Sequence, residues 1–484
     1  MSELSPVAAR DVPTSPPPGN HRFRRRLRDP AAVFAAVALV VGGYLACVVP
    51  HFAGIDEPAH FYRSYQISTG RLLPLHPDGS AFSGACIPSG VVRGVLRDRR
   101  TVAEHNTRLA GLPAGTVRRA TVDDAPRCPG DSSRRFVTFS TFGSPVPYAP
   151  QAAAMFVARS LGAGVYGMLL GSRLAELVVY VGLVWWAIRR ATRSPWALCA
   201  VALIPVALFQ ASVSESHDAL TIAISLLVVS SALRLVDVGD ATTLRRALGE
   251  AMLLTLLLAA CKPGYVVLSA CYLLPVLGRA NRREWWPLVA LPCVGVVASL
   301  VWNELVGGLW RTDADLFAVA VDPDRQRSLL LHQPWHFVDA VARTVVEQLD
   351  DWGKGLIVLG PSVAVWPLLA VVVFLVVLAL VSVQSSPGEP DALSPLQRVL
   401  LALVFIAGCL LVLGAQYVYW SAPGDDVVGG MQARFFVPLL VLVPIVVGPR
   451  RGAWASSTTA RIPLTVLLLA CYVAFLVTVA FRMY

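Results

Sequence analysis

The run Asp56-Glu57-Pro58-Ala59-His60-Phe61-Tyr62-Arg63-Ser64-Tyr65-Gln66 holds two carboxylates, an imidazole and a guanidinium side by side. Asp56 suits a helix N-cap and Pro58 a first helical turn. Pro58, Phe61, Tyr62 and Tyr65 recur at i, i+3, i+4 and i+7, which predicts a short amphipathic helix with an aromatic face lying in a membrane interface. His60, Arg63 and Gln66 fall on other faces. Asp56 therefore has two readings. It caps the helix above a belt of interfacial aromatics, or, with Glu57 beside it, it is a carboxylate held at the membrane surface as a general base. One carboxylate can do both.

A second polar group is Ser214-Glu215-Ser216-His217-Asp218. Glu215 and Asp218 are three apart and would share a helix face. Ser and Asp here suit a helix start. The alternative is an acidic patch beside Asp56, with His217 free for a phosphate or a divalent metal, although these mixed ligands specify no metal. Lys262 interrupts an apolar stretch as Cys261-Lys262-Pro263-Gly264-Tyr265. Pro and Gly break the helix there, and a free helix end plus an ammonium can hold an anion at membrane depth. Snorkelling to lipid headgroups is the plainer role. Arg434, in Gly430-Met431-Gln432-Ala433-Arg434-Phe435-Phe436, has the same two readings. Arg173 and Glu176 are spaced for an internal ion pair. Asn303, Glu304, Asp350 and Asp351 read as solvated helix ends. There is no Walker A loop, HExxH or GxSxG elbow, so ATP-driven work and serine hydrolysis have no support.

These groups hang on an apolar frame. Of the 484 residues 55% are apolar and 15% charged, against about 25% charged in soluble domains. Runs of about 20 apolar residues, enough to cross a bilayer, fall at 31–50, 166–188, 196–213, 217–236, 248–261, 264–278, 285–305, 355–382, 397–415, 434–449 and 462–481. The expected fold is an all-α polytopic membrane protein of about 11 transmembrane helices, one membrane domain over 30–484, with no internal repeat. Residues 146–161 are apolar but short and Pro-flanked, and would lie along the membrane or re-enter it.

The net charge is +10, and all the basic residues except Lys262 and Lys354 are Arg. They cluster beside the spans: Arg22 to Arg28, Arg189 with Arg190 and Arg193, Arg245 with Arg246, Arg279 with Arg282 and Arg283, and Arg450 with Arg451. That is a topology signal, not a nucleic-acid surface. The positive-inside rule puts residues 1–29, a Pro- and Ser-rich disordered basic tail, in the cytoplasm. It leaves 51–145, 306–353 and 416–433 outside. Seven of the nine Cys lie in apolar runs. Cys86 and Cys128 share the first outer loop, where an oxidising compartment permits a disulfide between them.

The first motif resembles the signature of a bacterial membrane family called domain of unknown function 2142. Pro205 to Gln210, Ser216-His217-Asp218-Ala219-Leu220, Lys262-Pro263 with Tyr265, and Gln432 to Phe436 add to the resemblance, which spans roughly residues 31–450. The chain has Ala433 and Phe435 where the family tends to have Gly and Tyr. The family resembles a branch of the GT-C glycosyltransferases, which move a sugar from a polyprenyl-phosphate carrier to an acceptor outside the cytoplasm. The resemblance implies a GT-C-like fold, Asp56 at the acidic catalytic position, and an active site on the outer face of the bacterial cytoplasmic membrane. It makes a polyprenyl-phosphate-linked sugar and membrane lipid the partners. Asp56 and Glu57 are then the catalytic candidates. Lys262, Arg434, His60 and Arg63 would hold the carrier phosphate, and Glu215, His217 and Asp218 would form a secondary polar site with a divalent metal as an open ligand. Two alternatives stand beside this expectation. One is a transporter or flippase for a lipid-linked saccharide. The other is a non-catalytic envelope-assembly subunit, which predicts Asp56, Lys262 and Arg434 far apart.

Overall fold

The computed structural model describes residues 29–54, 56–75, 83–109, 126–128, 130–138, 144–238, 241–277, 286–307, 321–357, 368–384, 389–390, 392–448 and 458–483. The expected tail and the basic clusters at 22–28, 279–283 and 450–451 lie outside these residues. Apolar runs with clean ends become long helices: α1 (Pro30–Val48) follows an Asp29 cap, whose carboxylate accepts from the Ala31 amide at 3.0 Å. α5 (Val165–Arg190) lies against α1, where Gly42 has no Cβ to meet Leu177 (2.5 Å from an ideal Cβ). α8 (Asp218–Leu235) is the axis of the molecule, with 89% of its most apolar window buried. It packs between α5 and α9 (Ala241–Cys261). A helix apolar all round is a core helix, and this one is.

Among the described residues six helices are long and apolar enough to cross a membrane: α1, α5, α8, α11 (Trp286–Gly307), α15 (Pro395–Trp420) and α18 (Thr458–Met483). The count becomes seven if α6 (Pro195–Ala202) and α7 (Pro205–Ser212), bent by 63°, form one broken span. Among the described residues the expected count of about 11 is not reached, and the reasons are local. Pro205 breaks 196–213. The run 248–261 belongs to α9, whose first half carries Arg245, Arg246 and Glu250. Pro263 opens a 3₁₀ stretch, Pro263–Leu273, that continues into the short α10 (Leu274–Leu277). The run 434–449 is divided into a 3₁₀ turn, Ala433–Phe436, and the short α16 (Val437–Leu440) and α17 (Leu442–Val447), with Pro438 and Pro444 inside. Within 355–382 the helix described is α14 (Leu368–Ser382), 15 residues long. Apolar length alone does not report where prolines divide a segment into shorter helices. The spans expose Val178 on α5 and Val296, Val297, Leu300 and Val301 on α11. Such contiguous apolar surface needs an apolar solvent.

The polar segment 51–145 is not all helical. It holds α2 (Glu57–Ser68), β1 (Gly84–Pro88), α3 (Ser89–Leu109), β2 (Arg127–Cys128) and β3 (Asp131–Thr138). The three strands form an antiparallel sheet in the order β1-β3-β2, with Cys86 opposite Phe136 and Cys128 opposite Asp131. A disulfide joins Cys86 to Cys128, across the two strands that flank β3. Phe61, Tyr62 and Tyr65 of α2 pack with Ile87, Val92, Val95 and Met155 in a second core. The helix expected to rest its aromatic face in lipid is instead covered by the sheet and by α4 (Ala149–Ser160). The 3.6-residue period was real, but it served a protein core. Residues 306–353 contribute α12 (Pro323–His332) and α13 (Pro334–Gly355).

Candidate functional site

Arg173 sets the entrance of α2. Its Nε and Nη2 reach Glu57 Oε1 and Oε2 at 2.7 and 3.0 Å. Its Nη1 donates to the Ala46 and Val49 carbonyls at 3.0 and 2.9 Å, and Nη2 donates to Pro50 at 3.1 Å. One planar fork thus satisfies carbonyls freed at the end of α1 and clamps the first residue of α2 to them. Arg173 pairs across 116 residues with Glu57 and not with Glu176. The i, i+3 expectation fails because the Arg173 nitrogens are all taken by Glu57 and by the carbonyls at the end of α1. Glu57, expected beside Asp56 as a base, is fully buried in this clamp and holds structure.

Asp56 is thereby turned the other way. Its backbone is left-handed (φ 59°), a conformation Asp tolerates better than most residues. Its carbonyl accepts from the Ala59 and His60 amides at 3.0 and 3.2 Å, but its carboxylate makes no cap hydrogen bond. An ordinary N-cap has extended backbone; here the carboxylate meets Arg434, with Nη2 to Oδ2 at 3.0 Å.

Three further segments complete the cluster. Lys262 has extended backbone (φ −149°), as the residue before Pro263 must, and its ammonium donates to Asp218 Oδ1 at the start of α8. Arg434 Nε lies 3.3 Å from Asp218 Oδ2. Tyr265 donates from its hydroxyl to the Phe435 carbonyl at 2.6 Å and so fixes the 3₁₀ turn that carries Arg434. The Phe435 ring lies under both cations, 4.9 Å from Lys262 Nζ and 5.4 Å from the Arg434 guanidinium carbon. Asp56, Asp218, Lys262 and Arg434 therefore share one place at one end of the helices. The cluster opens at Asp56, whose side chain is 52% exposed against 6% for Arg434 and 7% for Asp218. Buried Nη1 of Arg434 has no hydrogen-bond partner.

The floor of the site is a second set. Tyr148, at the end of the 3₁₀ turn Val146–Tyr148, places its hydroxyl 2.8 Å from His60 Nδ1 and 3.0 Å from His217 Nδ1. His217 Nε2 lies 3.8 Å from Asp218 Oδ1. Burial, against the opposing field of Asp56, takes His60 down to about 4. Burial and then Lys262 hold His217 well below the usual histidine range. Burial pushes the Tyr148 phenol up, so it keeps its proton at neutral pH. A single phenolic proton between two neutral imidazoles makes one Nδ1 an acceptor and the other a donor. Neither imidazole adds a positive charge to the cluster.

Other expected members sit elsewhere. Arg63 is buried and ties α2 to the chain after it, donating to Gln66 Oε1 at 2.6 Å and the Leu72 carbonyl at 2.8 Å. It does not join the Lys262 and Arg434 group. Glu215 and Asp218 do not share a helix face, because α8 begins only at Asp218 and Glu215 lies before it in left-handed backbone (φ 51°). The Glu215 side chain is buried against Ser172 of α5. Among the described residues no group of three or more His, Cys, Asp or Glu side chains is arranged to hold a metal ion. Sequence reasoning missed Tyr148 and the Arg173–Glu57 pairing. Tyr148 had one signal, a lone phenol between Pro147 and Pro150 in an otherwise apolar run, but its partners lie 88 and 69 residues away.

No curated protein and no solved structure matches the chain. The family described as "Predicted membrane protein (DUF2142)" matches residues 39–443, a stretch that includes every residue of the cluster. That match covers most of the sequence, and the chain belongs to this family of membrane proteins, domain of unknown function 2142.

Proposed function

We propose that the chain is a GT-C-like glycosyltransferase that takes a sugar from a polyprenyl-phosphate carrier and places it on an envelope acceptor, at the outer face of the bacterial cytoplasmic membrane. The observation that carries this reading is the meeting of Asp56, Asp218, Lys262 and Arg434, from four distant parts of the sequence, in one cluster that opens at Asp56. The opposite helix ends carry Arg189, Arg190, Arg193 and Arg234, paired with Asp29, Glu250 and Asp237. By the positive-inside rule that end faces the cytosol and the cluster faces out.

The chemistry follows from the charges. Asp56 takes the proton of the acceptor hydroxyl as that oxygen bonds to the anomeric carbon. The bond from that carbon to the carrier phosphate breaks, and its electron pair leaves with the phosphate. Lys262 and Arg434 stabilise the charge there. Asp56 then returns its proton to water. Asp218 holds the two cations together so that their mutual repulsion does not separate them. In the structure Asp56 occupies Arg434 Nη2. An arriving phosphate competes for that guanidinium and frees the Asp56 carboxylate, so donor binding arms the base.

The test is complementation. A strain lacking the gene is screened for the envelope glycan that loses a sugar, and variants are returned to it. Wild type restores the sugar; Asp56→Asn inserts normally but lowers transfer by about 10²–10⁴-fold, the usual worth of a positioned base. Full restoration by Asp56→Asn removes the base from the scheme. Movement of a labelled polyprenyl-phosphate sugar across liposomes without acceptor would replace transfer by transport.

A further inference from the structure

An apolar stripe runs along α15 at alternating three- and four-residue spacing: Leu396, Val399, Leu403, Ile406 and Leu410, all exposed. In a helix long and apolar enough to cross a membrane, such a stripe is the side that meets lipid. The same spacing continues to Leu413 and Tyr417, but these two are buried. They are covered by α13. Phe337, Ala340 and Val341 pack there, with the Phe337 and Tyr417 rings 5.2 Å apart. Tyr417, Tyr419 and Trp420 close the span, and aromatic residues at a span end mark the headgroup level of a bilayer. α13 therefore lies over the lipid-facing side of α15, at the end where membrane gives way to water.

The helical period gives α13 three sides. Phe337, Ala340, Val341 and Thr344 face inward, toward α15 and the segment before Arg434, where the Val428 amide donates to Thr344 Oγ1 at 2.7 Å. Asp339, Arg343, Glu347 and Asp350 form a polar flank, with Arg343 2.9 Å from Asp339. Trp335, Val338, Ala342, Val346 and Leu349 form the side opposite α15. All five are exposed, Trp335 by 81% and Val346 by 82%. A face this apolar and this open is costly in water. Electrostatics does not hold it to a surface. Asp339, Glu347, Asp350 and Asp351 outnumber Arg343 and Lys354, so anionic headgroups repel the helix. Apolar burial is the force that remains.

We propose that α13 is an interfacial helix bound to lipid. Trp335, Val338, Ala342, Val346 and Leu349 sit among the acyl chains of the lipid around α15, and the flank of Asp339 and Glu347 faces water. The occupant is lipid and not a second copy of the chain, because this face looks out from the side on which α15 is itself exposed to lipid. The last turn of α13 carries the seating to the cluster. The Trp352 ring lies 4.9 Å from that of Phe436, and Gly355 has no Cβ to meet Ala433 (3.0 Å from an ideal Cβ). α13 thus holds the 3₁₀ turn of Arg434 at the height of the membrane surface. None of this depends on sugar transfer.

The experiment uses the full chain in vesicles of phosphatidylcholine alone. In a chain cleared of its free cysteines, Val346→Cys, Leu349→Cys and Glu347→Cys are each labelled with a small fluorophore. Lipid with brominated acyl chains should quench the labels of Val346→Cys and Leu349→Cys about twofold or more, and aqueous iodide should quench only that of Glu347→Cys. Iodide quenching of the first two without quenching by brominated lipid puts the face in water and overturns the proposal. Labels there that neither agent reaches are covered by protein, a second copy or another part of the chain, and that overturns it as well. The unmodified chain decides should the variants fail to insert. A phosphatidylcholine with a diazirine on its acyl chain should mark residues 335–349 together with 396–410 of α15, and adducts on α15 alone would end the idea.

Discussion

Arg173 shows how one side chain can place a carboxylate it never touches. Its fork bonds both oxygens of Glu57 and carbonyls at the end of α1, and Asp56 is thereby presented on the far side of the same turn. Both partners are fully buried, at 1% and 0% side-chain exposure, so removing one strands the other charge. Arg173→Leu should cost about 3–5 kcal/mol, and Arg173→Leu with Glu57→Leu should recover most of that loss, because the isolated charge is the expensive state. Thermal unfolding of the three proteins side by side checks this. If the double variant is no more stable than Arg173→Leu, the clamp is not the source of the cost.

At the scale of elements, the sheet and its disulfide roof α2. Cys86 and Cys128 lie 42 residues apart in sequence on the two strands that flank β3, with part of the intervening chain in α3. Closing a loop of that length stabilises a fold by roughly 3–4 kcal/mol in the chain-entropy account. Cys86→Ser with Cys128→Ser should therefore loosen β1, β2, β3 and α2 and leave the apolar core around α8 intact. Hydrogen exchange should show faster amide exchange confined to residues 57–138. Equal acceleration in α8 would mean that the sheet unit and the apolar core unfold as one. The loosened α2 would also carry Asp56 off Arg434, so the disulfide supports the site at a distance.

At the scale of the whole molecule, charge sorts the two ends. Arg189 meets Asp29, and Arg190 and Arg234 share Glu250, at one end of the bundle. Asp56, Lys262 and Arg434 gather at the other. In a chain cleared of its free cysteines, a cysteine placed at exposed Arg93 of α3 should react with a membrane-impermeant maleimide in intact cells, and one placed at Arg189 should react only after lysis. The reverse pattern would put the cluster in the cytosol and remove the envelope acceptor from the scheme.

The sequence alone determined that this is a multi-span membrane protein. Apolar runs of bilayer length and flanking Arg clusters follow from local composition and the cost of burying charge. It also determined the start of α2 at Glu57, the break after Lys262 and the chemical types in the cluster, since Pro and chain ends act on their neighbours. It did not determine how many runs form one long helix, because Pro205, Pro263, Pro438 and Pro444 divide some of them into shorter pieces. Nor did it decide which charges meet. Glu57 goes to Arg173, Asp56 to Arg434 and Tyr148 to two histidines through contacts between residues 69 to 378 positions apart. A periodic pattern reports only the face a residue occupies. The partner across that face depends on how the helices pack, and only the tertiary structure contains that.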